Sequence, residues 1–176
     1  MTERIIIAGS GGQGIMLLGK VLARAALRED KFVTWLPAYG PEVRGGAAHC
    51  MVIISDSEIG STHIDEADTL IIMNQPSLAK FKNRLKDNGL MVLNTSLAKG
   101  CLSKKIRLAE GKFTDIAIGL GNIKVANMLA LGCFIGNKEL VKPKTILAVI
   151  SAMAPEDKKE LIKINQEALE AGLRLK

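Results

Sequence analysis

Aromatic side chains are scarce: four Phe, one Tyr and one Trp in 176 residues, or 3%. A core must therefore be assembled from Ile, Leu, Val, Ala and Met. A single-strand nucleic-acid platform, which stacks bases on aromatic rings, is disfavoured. Cysteine is scarce too, with Cys50, Cys101 and Cys133 standing alone and no CxxC spacing. That pattern speaks against a disulfide framework and against a metal cluster held by this chain. With two histidines, His49 and His63, far apart in sequence, no metal site is expected. No apolar run reaches the roughly 20 residues a spanning helix needs. The run Ile5–Ala8 is short and opens into glycines, unlike a signal peptide. The expectation is a soluble, cytoplasmic chain with no membrane and no nucleic-acid partner.

What is present is a globular balance, 48% hydrophobic and 24% charged. The length suits one domain, and no repeat or Ser/Pro linker interrupts it, so a single domain over 1–176 is expected. The formal charge is +6, which suits an anionic cofactor, an acidic partner or merely a soluble surface.

Short β-branched runs alternate with helical patterns. Arg4–Ala8 and Phe32–Leu36 read as strands, the second stopped by Pro37. His49–Ser55 and Ser57–His63 read as a hairpin turning near Asp56. Thr69–Met73, Leu90–Asn94 and Ile116–Ile118 read as further strands. Helices are predicted from about Gln13 to Arg28, from Pro76 to about Asp87, from Val125 to Ile135 and over Glu156–Leu173. In the last of these, Leu161, Ile164 and Ala168 share a face. The alternation predicts an α/β fold: a Rossmann-like, doubly wound, mostly parallel sheet with an antiparallel hairpin.

Two glycine-rich blocks stand out. The first, GSGGQG, follows a strand and opens a helix, with Gly9, Gly11 and Gly14 at G-x-G-x-x-G spacing and Gly12 and Gln13 between them. A dinucleotide site also wants an acidic residue at the end of the second strand. Here that strand ends Thr34-Trp35-Leu36-Pro37. A working NAD site, a tight packing turn, another phosphate and a partner's backbone all stay open. The second block, YGPEVRGG, sets Tyr39, Glu42 and Arg44 among Gly40, Pro41, Gly45 and Gly46. Pro41 fixes its own φ and restrains Gly40. Gly45-Gly46 lets a ligand or another backbone come close. Glu42 and Arg44 could pair with each other, hold an anion or meet a partner's charge. Both blocks follow strands, so both are expected at the carboxyl edge of the sheet. Asn74 can cap the helix beginning at Pro76, and Asn127 can bond a loop or a ligand.

With NQPS (74–77) and VANMLALG (125–132), these blocks resemble the gamma subunits of 2-oxoacid:ferredoxin oxidoreductases. The wording TWLPAYGPEVRGG looks most similar to the 2-oxoglutarate type; relatives serving pyruvate, branched-chain 2-oxoacids or indolepyruvate share the blocks. The resemblance implies part of an enzyme that decarboxylates a 2-oxoacid on thiamine diphosphate. Electrons would pass through iron–sulfur clusters to ferredoxin, and the acyl group to coenzyme A, giving succinyl-CoA from 2-oxoglutarate. Thiamine diphosphate, its Mg ion and the clusters would belong to partners: alpha and beta subunits and a ferredoxin-like delta subunit. This chain would assist assembly, share in holding coenzyme A, be inactive alone and form a homodimer when isolated. It would carry no catalytic residue. Its binding or interface residues would be Gly9, Gly11, Gly12, Gln13, Gly14, Tyr39, Gly40, Pro41, Glu42, Arg44, Gly45, Gly46, Asn74 and Asn127. Two other classes compete: a free-standing NAD(P)-dependent oxidoreductase, and a binder of nucleic acid or acidic protein. The basic stretch Lys99, Lys104, Lys105, Arg107 and Lys112 is either a solvated surface or a contact for coenzyme A phosphates or an acidic partner.

Overall fold

Three consecutive isoleucines followed by alanine, Ile5–Ala8, leave no polar face, so both sides of this strand must be covered. In the computed structural model, which describes residues 1–38, 47–100, 105–154 and 159–175, β1 spans Thr2–Ser10. Its Ile5–Ala8 are wholly buried. α1 (Ile15–Leu27) follows, burying Ile15, Leu18, Leu22 and Ala25 on the face that the three- and four-residue spacing predicts.

β2 (Phe32–Ala38) and β3 (Ala47–Ser55) are antiparallel neighbours, and β3 is also antiparallel to β1. Pro37 does not stop β2; it pairs opposite Cys50. β2 is an edge strand, where a residue without an N–H is tolerated. The predicted hairpin partner Ser57–His63 is not a strand. The hairpin is β2–β3 instead, because β3 carries the apolar run that pairs on both sides.

β4 (Ala67–Ile72) leads into α2 (Gln75–Phe81), which ends much earlier than Asp87. One 3-10 turn, Lys82–Arg84, intervenes, and β5 then runs from Leu85 to Asn94. Asn88-Gly89 does not end a helix. Asn88 adopts φ 63°, and the β4–β5 register shifts between the pairs Ala67–Leu85 and Thr69–Leu90, as at a bulge. β6 (Arg107–Gly111) is the last strand, and Ile116–Ile118 lies in α3 (Phe113–Gly119). The triplet follows helical geometry: Ala117 is buried while Ile118 is exposed.

α4 (Ala126–Asn137), α5 (Pro143–Met153) and α6 (Lys159–Leu173) complete the chain. α5 has no counterpart in the sequence expectation. Along α6, Ala168 is buried but Leu161 is 39% exposed, so the contact face is rotated toward Leu169 and Gly172. There α4 and α6 meet backbone to backbone. A Cβ on Gly132 would strike the Leu169 carbonyl and lie 3.0 Å from Gly172 Cα.

The strand order is β2-β3-β1-β4-β5-β6, with β1, β4, β5 and β6 mutually parallel. α1, α4 and α6 contribute to the core on one face, and α2 packs Leu78 and Phe81 on the other. The sheet is thus covered on both faces, as the alternation predicts. At the start of β1 the buried Glu3 accepts from Thr69 Oγ1 (2.6 Å) and from Lys138 Nζ at the end of α4 (2.9 Å). No helix among the described residues is long and apolar enough to cross a membrane.

Candidate functional site: the carboxyl rim of the sheet

Because β1, β4, β5 and β6 are parallel, Ser10, Ile72, Asn94 and Gly111 end at one rim. The antiparallel β3 begins there, with Ala47 opposite Ser10, and β2 ends there, with Ala38 opposite His49. The two residues that bracket positions 39–46 therefore stand at the rim that carries the first glycine block. Tyr39, Gly40, Pro41, Glu42, Arg44, Gly45 and Gly46 themselves lie outside the described residues.

The first block is a turn tied down by side-chain amides. A Cβ on Gly9 would lie 2.6 Å from Gln13 Oε1 and 2.9 Å from Met73 Cβ, so only glycine fits. Gly11 and Gly12 are exposed. Gly12 (φ 88°) has open space where a Cβ would be. Gln13 folds back: its Oε1 accepts from the Ser10 N–H (2.6 Å), and its Nε2 donates to the Met73 carbonyl (3.3 Å). Gly14 (φ 70°) is the N-cap of α1 and offers no side-chain cap, so the orphan amides of that helix are left for other acceptors. Asn127 Nδ2 donates to the Gly14 carbonyl (3.2 Å) and fills the space a Gly14 Cβ would need. The Oδ1 of Asn127 is buried with no hydrogen-bond partner among the described residues.

Asn74 is the N-cap of α2. Its Oδ1 accepts from the Ser77 N–H (3.0 Å), and its Nδ2 donates to Ser10 Oγ. Three residues that sequence reasoning missed complete the network. Ser10 accepts from Asn74, while Asn94 Nδ2 donates both to the Met73 carbonyl (3.1 Å) and to Thr114 Oγ1 (2.9 Å). The available signal was a polar residue closing an apolar strand, Leu90-Met91-Val92-Leu93-Asn94. The structure therefore brings Gly9, Gly11, Gly12, Gln13, Gly14, Asn74 and Asn127 together on one rim. Beside them is a pocket of about 110 Å³ lined by Gly12, Gln13, Leu97, Thr114, Ile123, Lys124 and Ala126.

This network is made of neutral amides and hydroxyls. It can hold a backbone in place or receive an acceptor at the start of α1, but it contains no acid or base to activate its hydroxyls, and so no activated nucleophile. The thiols cannot supply one. Burial pushes Cys50 up to about 12 and Cys133 up to about 11, so both are protonated near neutral pH; Cys101 is outside the described residues. Among the described residues, no group of three or more His, Cys, Asp or Glu could hold a metal ion. His49 lies against Phe81, ring centroids 4.9 Å apart, and His63 sits 3.3 Å from Asp65. In the basic stretch, Lys105 pairs with Asp87 (3.3 Å), while Lys104 is outside the described residues.

A larger cleft of about 550 Å³ opens at the opposite end, lined in part by Glu29, Lys31, Glu139 and Lys142. Two of its charged side chains are engaged, Lys31 with Asp56 and Glu29 with the Lys142 N–H. It lies away from the residues that the sequence singles out, and the smaller rim pocket, which Gly12 and Gln13 line, is the better candidate despite its size.

Residues 4–175 match the family described as pyruvate ferredoxin/flavodoxin oxidoreductase. The chain is similar to ketoisovalerate oxidoreductase subunit VorA of Methanothermobacter marburgensis, with 36% identity over 171 residues covering 96% of this chain. It spans only 35% of that relative's length. It is also similar to 2-oxoglutarate synthase subunit KorC of Methanocaldococcus jannaschii, with 30% identity over 91% of this chain and 88% of the relative. Among solved structures, the keto/oxoacid ferredoxin oxidoreductase gamma subunit from Geobacter sulfurreducens PCA shares the fold at a TM-score of 0.84. Its identity is 26%, covering 97% of this chain and 96% of that one.

Proposed function

The chain belongs to the pyruvate ferredoxin/flavodoxin oxidoreductase family, and we propose that, as one unit over 1–176, it is the gamma-type component of a 2-oxoacid:ferredoxin oxidoreductase. In such an enzyme, thiamine diphosphate with Mg and the iron–sulfur clusters supply decarboxylation and electron transfer to ferredoxin, and the acyl group leaves on coenzyme A. These groups suit partner subunits of alpha, beta and ferredoxin-like delta type. A cluster wants four thiolates, whereas this chain has three cysteines, and Cys50 and Cys133 are held protonated by burial.

The observation that carries the reading is the pairing of Ser10 with Ala47, which puts the residue that follows the second glycine block at the rim of the first. A rim built of glycine backbone and neutral amides is fitted to dock other polypeptides. The uncapped amides of α1 also suit coenzyme A phosphates, and Asn74 and Asn127 hold the turn that presents them. Tyr39, Glu42 and Arg44 are assigned to the same docking role.

For the substrate we take 2-oxoglutarate, on the wording of the second block and the similarity to KorC. A branched-chain 2-oxoacid is the second reading, favoured by the 36% identity to VorA. Assaying the purified complex with each acid, coenzyme A and ferredoxin decides by kcat/KM. Preference for the branched acid overturns the 2-oxoglutarate assignment. Micromolar NADH or NADPH binding by the isolated chain, with no partner recovered from its own cell, would replace the whole reading by a free-standing NAD(P)-dependent oxidoreductase.

A further inference from the structure

The rim pocket has features that the glycine turn does not explain. Leu97 is 45% exposed and Ile123 is 56% exposed, two large apolar side chains lining one small pocket. Gly12, on the pocket wall, has nothing within 4 Å of the position a Cβ would take, so its own fold does not fill that space. Lys124 lines the pocket, is exposed, and has no ion pair among the described residues. Lys99 and Lys112 lie two residues from the lining residues Leu97 and Thr114, also without an ion pair among the described residues. Asp115 is the one carboxylate as near in sequence to any lining residue. Apolar walls beside the exposed Lys124, with two more lysines against one carboxylate within two residues of the lining, are complementary to an apolar side chain followed by a carboxylate. An anchor in a pocket with charge complementarity at its rim is how protein interfaces concentrate affinity and orientation.

We propose that this pocket is the seat of a partner subunit's loop, which inserts one aliphatic side chain between Leu97 and Ile123 and sets an Asp or Glu against Lys124. The inference rests on the gamma-type reading and names where and how the partner engages. The volume of about 110 Å³ equals roughly four water molecules, enough for one side chain and too small for a whole nucleotide.

The test uses tagged chain expressed in its own cell, with co-purifying subunits quantified by mass spectrometry. Wild type should recover a thiamine-binding subunit. The Leu97→Asp/Ile123→Asp double variant should recover it at least about tenfold less well. Lys124→Glu should cut recovery at low salt and flatten its decline between roughly 0.05 and 0.5 M NaCl. Both sites are exposed, so the variants should melt with the wild type, which excludes misfolding. Full recovery by the double variant overturns the proposal. So does retention of the partner with loss of coenzyme A binding alone, or loss only of a second copy of this chain. If wild type itself recovers no such subunit, the gamma-type reading falls instead.

Discussion

Gly14 is where the sequence, the turn and the distant helix α4 meet, and Gly14→Ala is the sharpest test of that arrangement. The backbone there sits at φ 70°, in the left-handed region that costs an L-residue about 1–2 kcal/mol. The new Cβ would also collide with the Asn127 carboxamide, which is buried and has little room to swing. Displacing it removes the bond to the Gly14 carbonyl, worth about 0.5–1.5 kcal/mol. Together these predict a loss of about 1.5–3.5 kcal/mol, or a fall in Tm of roughly 3–14 °C for a chain of this size. Gly12→Ala is the control. It has a comparable φ of 88° but open space around the Cβ, so only the conformational cost of about 1–2 kcal/mol applies. Calorimetric melts of the two variants should differ. In the Asn127→Ala background, Gly14→Ala should also cost about 1 kcal/mol less than in wild type. Equal Tm falls for the two glycines, with no coupling to Asn127, would refute the packing argument.

Gly132→Ala should lower stability by about 1–3 kcal/mol, since its Cβ would strike the Leu169 carbonyl. Gly119→Ala, which meets nothing within 4 Å, should be neutral or stabilising by up to about 1 kcal/mol; urea melts compare them. Lys138→Met strands the buried Glu3 carboxylate on Thr69 alone and should cost toward the lower end of about 3–5 kcal/mol. Lys163→Met, in an exposed pair with Glu167, should cost at most a few tenths (about 0.3–0.5). The Cys50 thiol, pushed up to about 12 by burial, should resist alkylation at pH 8 until the chain unfolds. A raised folded-state value means its contribution to stability is complete below the unfolded thiol value near 8.5. It is lost as pH rises from there toward 12. Rapid native alkylation would contradict this.

The parts of the fold legible in sequence were those with no competing interpretation. Ile5–Ala8 can only be a buried strand, and Gly9 to Gly14 can only be a turn opening a helix. Where one residue carried two meanings, tertiary context decided. Pro37 reads as a stop, yet an edge strand accommodates it. Asn88-Gly89 reads as a helix end, yet it became an irregularity inside β5. Arg107–Gly111 has no β-branched residue and is a strand because β5 offers it a ladder. At the site, the glycines and the two asparagines were visible as motifs. Asn94 and Thr114 were not, because their role depends on the end of β5 meeting the start of α3, which no local pattern encodes. The placement of 39–46 could be argued only through its bracketing residues Ala38 and Ala47.

The central claim is that this chain completes an enzyme whose chemistry lies in its partners. It is tested most directly by omission and return: the complex is purified from cells lacking this chain, and 2-oxoacid-dependent ferredoxin reduction is measured as the purified chain is added back. The account predicts little turnover without it and recovery that saturates near one equivalent, with the chain alone inactive throughout. Undiminished turnover by the complex lacking it would contradict the account.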